Sequence, residues 1–118
     1  MIRRILIVED NDTDYLLMQR HLKKMWPVAE LMRSSNREEL INALSAAWDF
    51  IVADFHLPDI QAQELIQTIA DSQPAVPCLV ISGSIDELRT FIFPQNVVAY
   101  IEKGDNDALR SALSRIGD

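Results

Sequence analysis

The sequence predicts an α/β protein built on a doubly wound parallel sheet of five strands, with helices on both faces. Four short apolar runs recur along the chain, each bounded by polar or turn residues. The stretches between them switch to helical spacing. The alternation is strict, with no internal linker, repeat or low-complexity tract. Apolar runs that do not alternate with polar residues suit strands buried on both faces, as in parallel sheets covered by helices. Right-handed crossovers then set those helices on both sides.

The elements follow in order. Ile5-Leu6-Ile7-Val8 is the first strand, and Tyr15, Met18, Leu22 and Met25 form the apolar stripe of the first helix, which Pro27 ends. Val28 to Met32 is a weaker run and suits an edge strand. The second helix is expected from Asn36, opened by a capping box from Ser35 to Glu38, with Leu40, Ala43, Leu44 and Ala47 turned inward. Phe50-Ile51-Val52-Ala53 gives the third strand. Leu65, Ile66 and Ile69 mark the third helix, stopped before Pro74. Cys78-Leu79-Val80-Ile81 is the fourth strand, and the same capping-box spacing from Ser84 to Glu87 opens a short fourth helix through about Phe91. Val97 to Ile101 is the fifth strand. Leu109, Ala112, Leu113 and Ile116 stripe the last helix, entered from Asp105 or Asn106. Trp26 and Trp48 are expected to pack at helix ends. His21, beside Lys23 and Lys24, reads as a surface residue.

The totals narrow the function. A chain of 118 residues suits one domain, residues 1–118, able to bury a core without disulfides or structural metals. Its net charge of −7 leaves no basic stripe to neutralise phosphates, so direct nucleic-acid binding is not expected. The single cysteine, Cys78, lies within an apolar run and behaves as a small hydrophobe. After Arg3 and Arg4 only four apolar residues precede the first acids, too few for a signal-peptide core, and no stretch is long enough to span a membrane. A cytoplasmic protein without membrane insertion is expected.

In a doubly wound sheet, ligands bind beyond the carboxyl ends of the strands. Glu9, Asp10 and Asp12 follow the first run, Asp54 the third, Ser82 the fourth, and Lys103 comes just beyond the fifth. With strand order 2-1-3-4-5, strands about 4.8 Å apart put Asp54 one strand from Glu9 and Asp10 and one from Ser82. Lys103 would start roughly 10 Å away, a gap that the two side chains can bridge. Three carboxylates this close need a raised pKa or a cation among them. Oxygen-only ligands at a partly open site favour Mg²⁺, and no Cys/His set for zinc exists.

The segments Ile5 to Asp10, Ile51 to Pro58, Leu79 to Gly83 and Tyr100 to Gly104 resemble the receiver domains of two-component response regulators and hybrid histidine kinases. The resemblance spans essentially the whole chain and implies a flavodoxin-like sheet. It implies that Asp54 is the phosphoacceptor, and that Glu9, Asp10, Asp54 and the backbone carbonyl of His56 hold Mg²⁺. It further implies Ser82 as the switch hydroxyl, Lys103 as the phosphate-binding lysine and Tyr100 as the aromatic switch. The expected donor is a histidine kinase or a histidine phosphotransfer domain. The expected recipient of the signal is a downstream protein target or an attached output domain, and a homodimer is among the expected assemblies. Catalysis would be limited to the domain's own phosphorylation and slow self-hydrolysis. Phosphorylation would reshape the face built from the fourth helix, fifth strand and fifth helix.

The sequence departs from the family pattern at four places, the mildest being Ser82 where threonine is commoner. Gly104 follows the lysine where proline with a cis bond is common; a cis bond before a non-proline residue costs about 3 kcal/mol, so a trans peptide is expected. Ala62 replaces the usual glycine near the start of the third helix, and Gln61 stands where an acid is frequent. His56 is read chiefly as a loop residue lending its carbonyl, and Ser84 chiefly as a helix cap. A sharper reading has the two flank the phosphate and tune how fast water removes it.

The rival from another class is a pseudo-receiver that binds proteins without phosphoryl chemistry, which would not need Glu9, Asp10, Asp54, Ser82 and Lys103 together. A flavin-binding protein of this topology would need a hydroxyl- and glycine-rich loop after the first strand. An aspartate-based phosphohydrolase would place its nucleophile there, and Asp10 and Asp12 offer that spacing only weakly.

Overall fold

The computed structural model describes residues 1–117. Five strands and five helices alternate in the expected order: β1 (Arg4–Val8), α1 (Asp12–Met25), β2 (Glu30–Ser34), α2 (Arg37–Ala43), β3 (Phe50–Asp54), α3 (Ala62–Ser72), β4 (Cys78–Ser82), α4 (Ile85–Thr90), β5 (Val97–Glu102) and α5 (Asn106–Gly117). The sheet is parallel throughout, with order β2-β1-β3-β4-β5. β3 and β4 are buried along their whole length, which is why their runs carry no polar alternation.

The sheet separates two cores. Ile5, Ile7, Phe50, Val52, Leu79 and Ile81 face one side and pack under α1 and α5. Leu6, Val8, Ile51, Ala53 and Val80 face the other, under α2, α3 and α4. Trp26 caps α1 with its ring edge-on to Phe50, and Trp48 follows α2 with its indole N–H donating to the Ala43 carbonyl at 2.8 Å. Cys78 is buried and its thiol is pushed up to about 12 by desolvation, so it packs as an inert apolar group.

Local expectations shift in several places. The edge strand starts at Glu30 rather than Val28, which is solvent-exposed. The α2 cap is one residue later than the box from Ser35 to Glu38: Asn36 Oδ1 accepts from the Glu39 N–H at 2.9 Å, and Glu39 Oε1 accepts from the Ser35 N–H at 2.8 Å. Asparagine is as good a cap as serine, and this frame brings Glu39 back over the turn. α2 stops at Ala43, so Ala47 is exposed and Ala46 packs in its stead. Ser84 occupies the cap position of α4, but its side chain makes no capping bond. Glu87, three residues on, points at His56 and Ser82 instead. His21 is half-buried between α1 and α5 rather than on the surface; burial, then Lys24 and Arg110, lower its pKa.

Candidate functional site

The carboxyl ends of β1, β3, β4 and β5 meet on one rim. β1 ends at Val8, so Glu9 and Asp10 stand at the loop onto α1; Glu9 is buried and Asp10 is exposed. Asp54 closes β3 and is buried. Glu9, Asp10 and Asp54 each present a carboxylate oxygen within 4.8 Å of the others. Lys103, one residue past β5, reaches across the sheet: its Nζ lies 3.0 Å from Asp54 Oδ2, 3.1 Å from Glu9 Oε1 and 2.7 Å from Asp14 Oδ2. The roughly 10 Å gap expected from strand spacing is therefore closed by the side chains.

Several contacts fix this arrangement. The His56 N–H donates to Asp54 Oδ1 at 3.0 Å and the Asn11 N–H to Glu9 Oε2 at 3.2 Å, while the Lys103 N–H donates to the Ser82 carbonyl at 2.7 Å. Arg33, on β2, donates from Nε to the Glu9 carbonyl at 2.9 Å and from Nη1 to Asp12 at 2.8 Å, and its guanidinium covers the Tyr15 ring. One arginine thus ties down the loop that carries the acid pair.

Burial is the first reason that the Glu9 carboxyl is pushed up, to about 7; the neighbouring Asp54 carboxylate adds to the effect. Burial alone would lower the Lys103 pKa, but its hydrogen bonds to Asp14 and Asp54 and the charges of Asp54 and Glu9 outweigh it and raise it. Glu9 Oε1 is buried and has no hydrogen-bond donor, because Lys103 approaches it outside donor geometry. An orphaned buried carboxylate oxygen, and an all-oxygen donor set of three acids, fit a hard divalent cation such as Mg²⁺.

Ser82 is fully buried; its Oγ accepts from the Ser84 N–H at 3.1 Å and donates to Glu87 Oε2 at 3.4 Å. It therefore faces α4 rather than Asp54. Glu87 Oε2 also meets His56 Nε2 at 2.5 Å, so the His56 side chain is engaged with α4 while its N–H serves Asp54. Tyr100 points outward, 44% exposed, and stacks on Phe93 with ring centroids 5.3 Å apart. Behind that pair, Phe91 and Phe93 lead to Phe55, the neighbour of Asp54. After Lys103, Gly104 adopts φ +91°, the left-handed region that favours glycine, and the described peptides are all trans as expected. The turn after Pro58 closes through a Leu57–Ile60 bridge, and α3 begins at Ala62 without a side-chain cap from Gln61.

Sequence reasoning assigned Glu9, Asp10, Asp54, Ser82 and Lys103 to one rim, and the structure brings them there. It left out Asp14, Arg33 and Glu87. Asp14 carried one usable signal: it lies four residues before Met18 and so shares the inward face of α1.

The fold and this rim define a doubly wound α/β domain with an acid-and-lysine rim, and the comparisons supply its family. The family model described as "Response regulator receiver domain" matches residues 5–114, and the chain belongs to that family. Among solved structures it is similar to the response regulator protein TrrA from Thermotoga maritima in complex with Mg²⁺-BeF, with TM-score 0.82, 20% identity, and 98% of this chain and 99% of that one covered. It is also similar to a sensor protein from Polaromonas sp. JS666, with TM-score 0.80, 22% identity and coverage of 98% and 96%. The phosphorylated cyanobacterial phytochrome response regulator RcpA aligns with TM-score 0.76, 24% identity and coverage of 99% and 90%. At these identities the likeness shows the fold. No curated protein matches the chain in sequence. Among the described residues no helix is long and apolar enough to cross a membrane.

Proposed function

We propose that this receiver domain takes a phosphoryl group from a phosphohistidine onto Asp54 and so alters a surface that a partner reads. The observation that carries this reading is the Asp54 carboxylate itself. It is buried, hydrogen-bonded to Lys103 at 3.0 Å, and flanked by two further acids that could hold a cation. An oxygen of Asp54 attacks phosphorus, the phosphorus–nitrogen bond to the donor histidine breaks, and an acyl phosphate remains on Asp54. Glu9, Asp10, Asp54 and the His56 carbonyl would hold Mg²⁺. When bound, the ion supplies positive charge against the phosphoryl oxygens. Lys103 orients and neutralises from the β5 side, and Ser82 turns from Glu87 to donate to the new oxygens.

The added group brings roughly −1.5 to −2 charge to the rim. Recruitment of Ser82 empties its present place beneath α4, and Tyr100 leaves Phe93 to follow. The α4–β5–α5 face changes with them. The donor is a histidine kinase or histidine phosphotransfer domain in the cytoplasm, and the reader is a downstream protein, an attached output domain or a second copy.

The test is intact mass after incubation with Mg²⁺ and acetyl phosphate. A single phosphoryl adduct on the wild type, absent from Asp54→Asn, is expected. An unmodified wild type with every donor tried would favour a binding module that never accepts phosphate.

A further inference from the structure

Lys103 is shared unequally. Its ammonium makes directional hydrogen bonds to Asp14 Oδ2 at 2.7 Å and Asp54 Oδ2 at 3.0 Å, while Glu9 receives only proximity. Asp14 belongs to the first turn of α1, where an acid serves the helix dipole without any lysine, and its N–H is already fixed by the Asn11 cap at 2.9 Å. It spends its side chain on a residue 89 positions away. Asp14 is also the better hydrated of the two partners, 34% exposed against 5% for Asp54. It can give up the lysine to water at little cost, whereas Asp54 cannot. The stem of Lys103 has room to move. A cavity of about 170 Å³ between α1 and α5 is lined by Asp14, Met18, His21, Ile101, Lys103 and Leu109.

We propose that Asp14 is a positioning residue for phosphoryl transfer: it holds Lys103 toward α1 and thereby limits the charge that Asp54 and an arriving phosphoryl group receive. The proposal rests on Asp54 as the acceptor. Before transfer, the ammonium divides its donors between two helically and sheet-anchored acids. Transfer places phosphoryl oxygens beyond the Asp54 carboxylate, and they compete with Asp14 for the same N–H groups. Lys103 moves off Asp14, which is left to solvent. Asp14 therefore acts against transfer, through the lysine rather than by touching the reacting atoms.

The experiment compares wild type, Asp14→Asn, Lys103→Met and the double variant. Phosphorylation by acetyl phosphate in Mg²⁺ is followed by intact mass, and the Lys103 ammonium resonance is recorded by ¹⁵N NMR without donor or metal. Asp14→Asn should be phosphorylated about fivefold faster, the factor that corresponds to an ion pair of about 1 kcal/mol at a partly exposed site. The gain should vanish in the Lys103→Met background. Equal acceleration in both backgrounds would mean that Asp14 acts only as one more negative charge near an arriving anion, and would overturn the proposal. So would an unchanged or slower Asp14→Asn. Should Lys103→Met take no phosphoryl at all, the ammonium spectra decide: a shifted or faster-exchanging signal in Asp14→Asn supports the proposal, and an unaltered one defeats it. A wild type without adduct would remove the acceptor role of Asp54 and this proposal together, while a normal wild-type adduct with an unaffected Asp14→Asn rate removes this proposal alone.

Discussion

Two acids at opposite ends of the sheet show what separates a carboxylate that the fold satisfies from one that it leaves short of partners. At the amino end, Asp49 Oδ2 accepts the Arg3 and Arg4 N–H groups, each at 2.9 Å, and those bonds hold its pKa below the ordinary range. At the carboxyl end, Glu9 is buried beside Asp54, has one oxygen without a donor, and its pKa is pushed up. Asp49 is satisfied by the fold. Glu9 is placed by the fold and left unsatisfied, because Glu9, Asp14 and Asp54 share the one ammonium of Lys103 while Asp10 adds a further carboxylate to the cluster. A chain tolerates that concentration of charge where a ligand will answer it.

The largest effect should come from supplying that ligand. Mg²⁺ at a hundredfold excess over its dissociation constant should raise unfolding free energy by about 2.7 kcal/mol. Asp10→Asn should lose most of that gain, and Asp49→Asn none of it. Urea melts with and without Mg²⁺ measure both. A gain as large in Asp10→Asn as in the wild type would place the ion elsewhere.

Next in size is the loss of the resident cation. Lys103→Met should destabilise the metal-free protein by about 2 kcal/mol, below the usual cost of breaking a buried pair because Lys103 is partly solvated and Glu9 can take a proton. Mg²⁺ should recover part of the loss. Urea melts in EDTA should show that loss in full, and stability equal to wild type there would mean that Lys103 contributes nothing to the metal-free fold.

The contrast between the two ends also explains what could be read from the chain. Strands β1, β3 and β4 are legible because double-faced burial demands unbroken apolar runs, and Glu9, Asp54 and Ser82 are legible because each stands where such a run ends. Lys103 needed its register behind Tyr100 to stand out from other lysines. Contacts made by long side chains across elements left little mark beyond the spacing of Asp14 to Met18. Asp14 reads as a first-turn acid, Arg33 as one more polar residue of an edge strand, and Glu87 as half of a capping box; only the folded chain turns them toward Lys103, the Glu9 loop and His56. The α2 cap was ambiguous for a different reason. Ser35/Glu38 and Asn36/Glu39 offer the same spacing one residue apart, and the folded chain forms its capping bonds in the second frame.

The smallest effects are the pH responses of the two acids, and they run in opposite directions. In metal-free protein, folded Glu9 keeps a proton that the unfolded chain releases above about 4.5. Its contribution to stability is complete below that pH and is lost as pH rises through about 7. Asp49 reverses the sign: its folded pKa is depressed, so its contribution is present above 3.8 and is lost as pH falls toward the lower folded value. Urea melts in EDTA across this range should therefore show stability rising out of acid and then declining toward neutrality. Glu9→Gln should flatten the decline and leave the acid limb. Asp49→Asn should cost about 1 kcal/mol near neutrality, soften the acid limb and leave the decline. If the decline survives Glu9→Gln, the unsatisfied acid is not Glu9, and the contrast between the two ends of the sheet fails at its upper end.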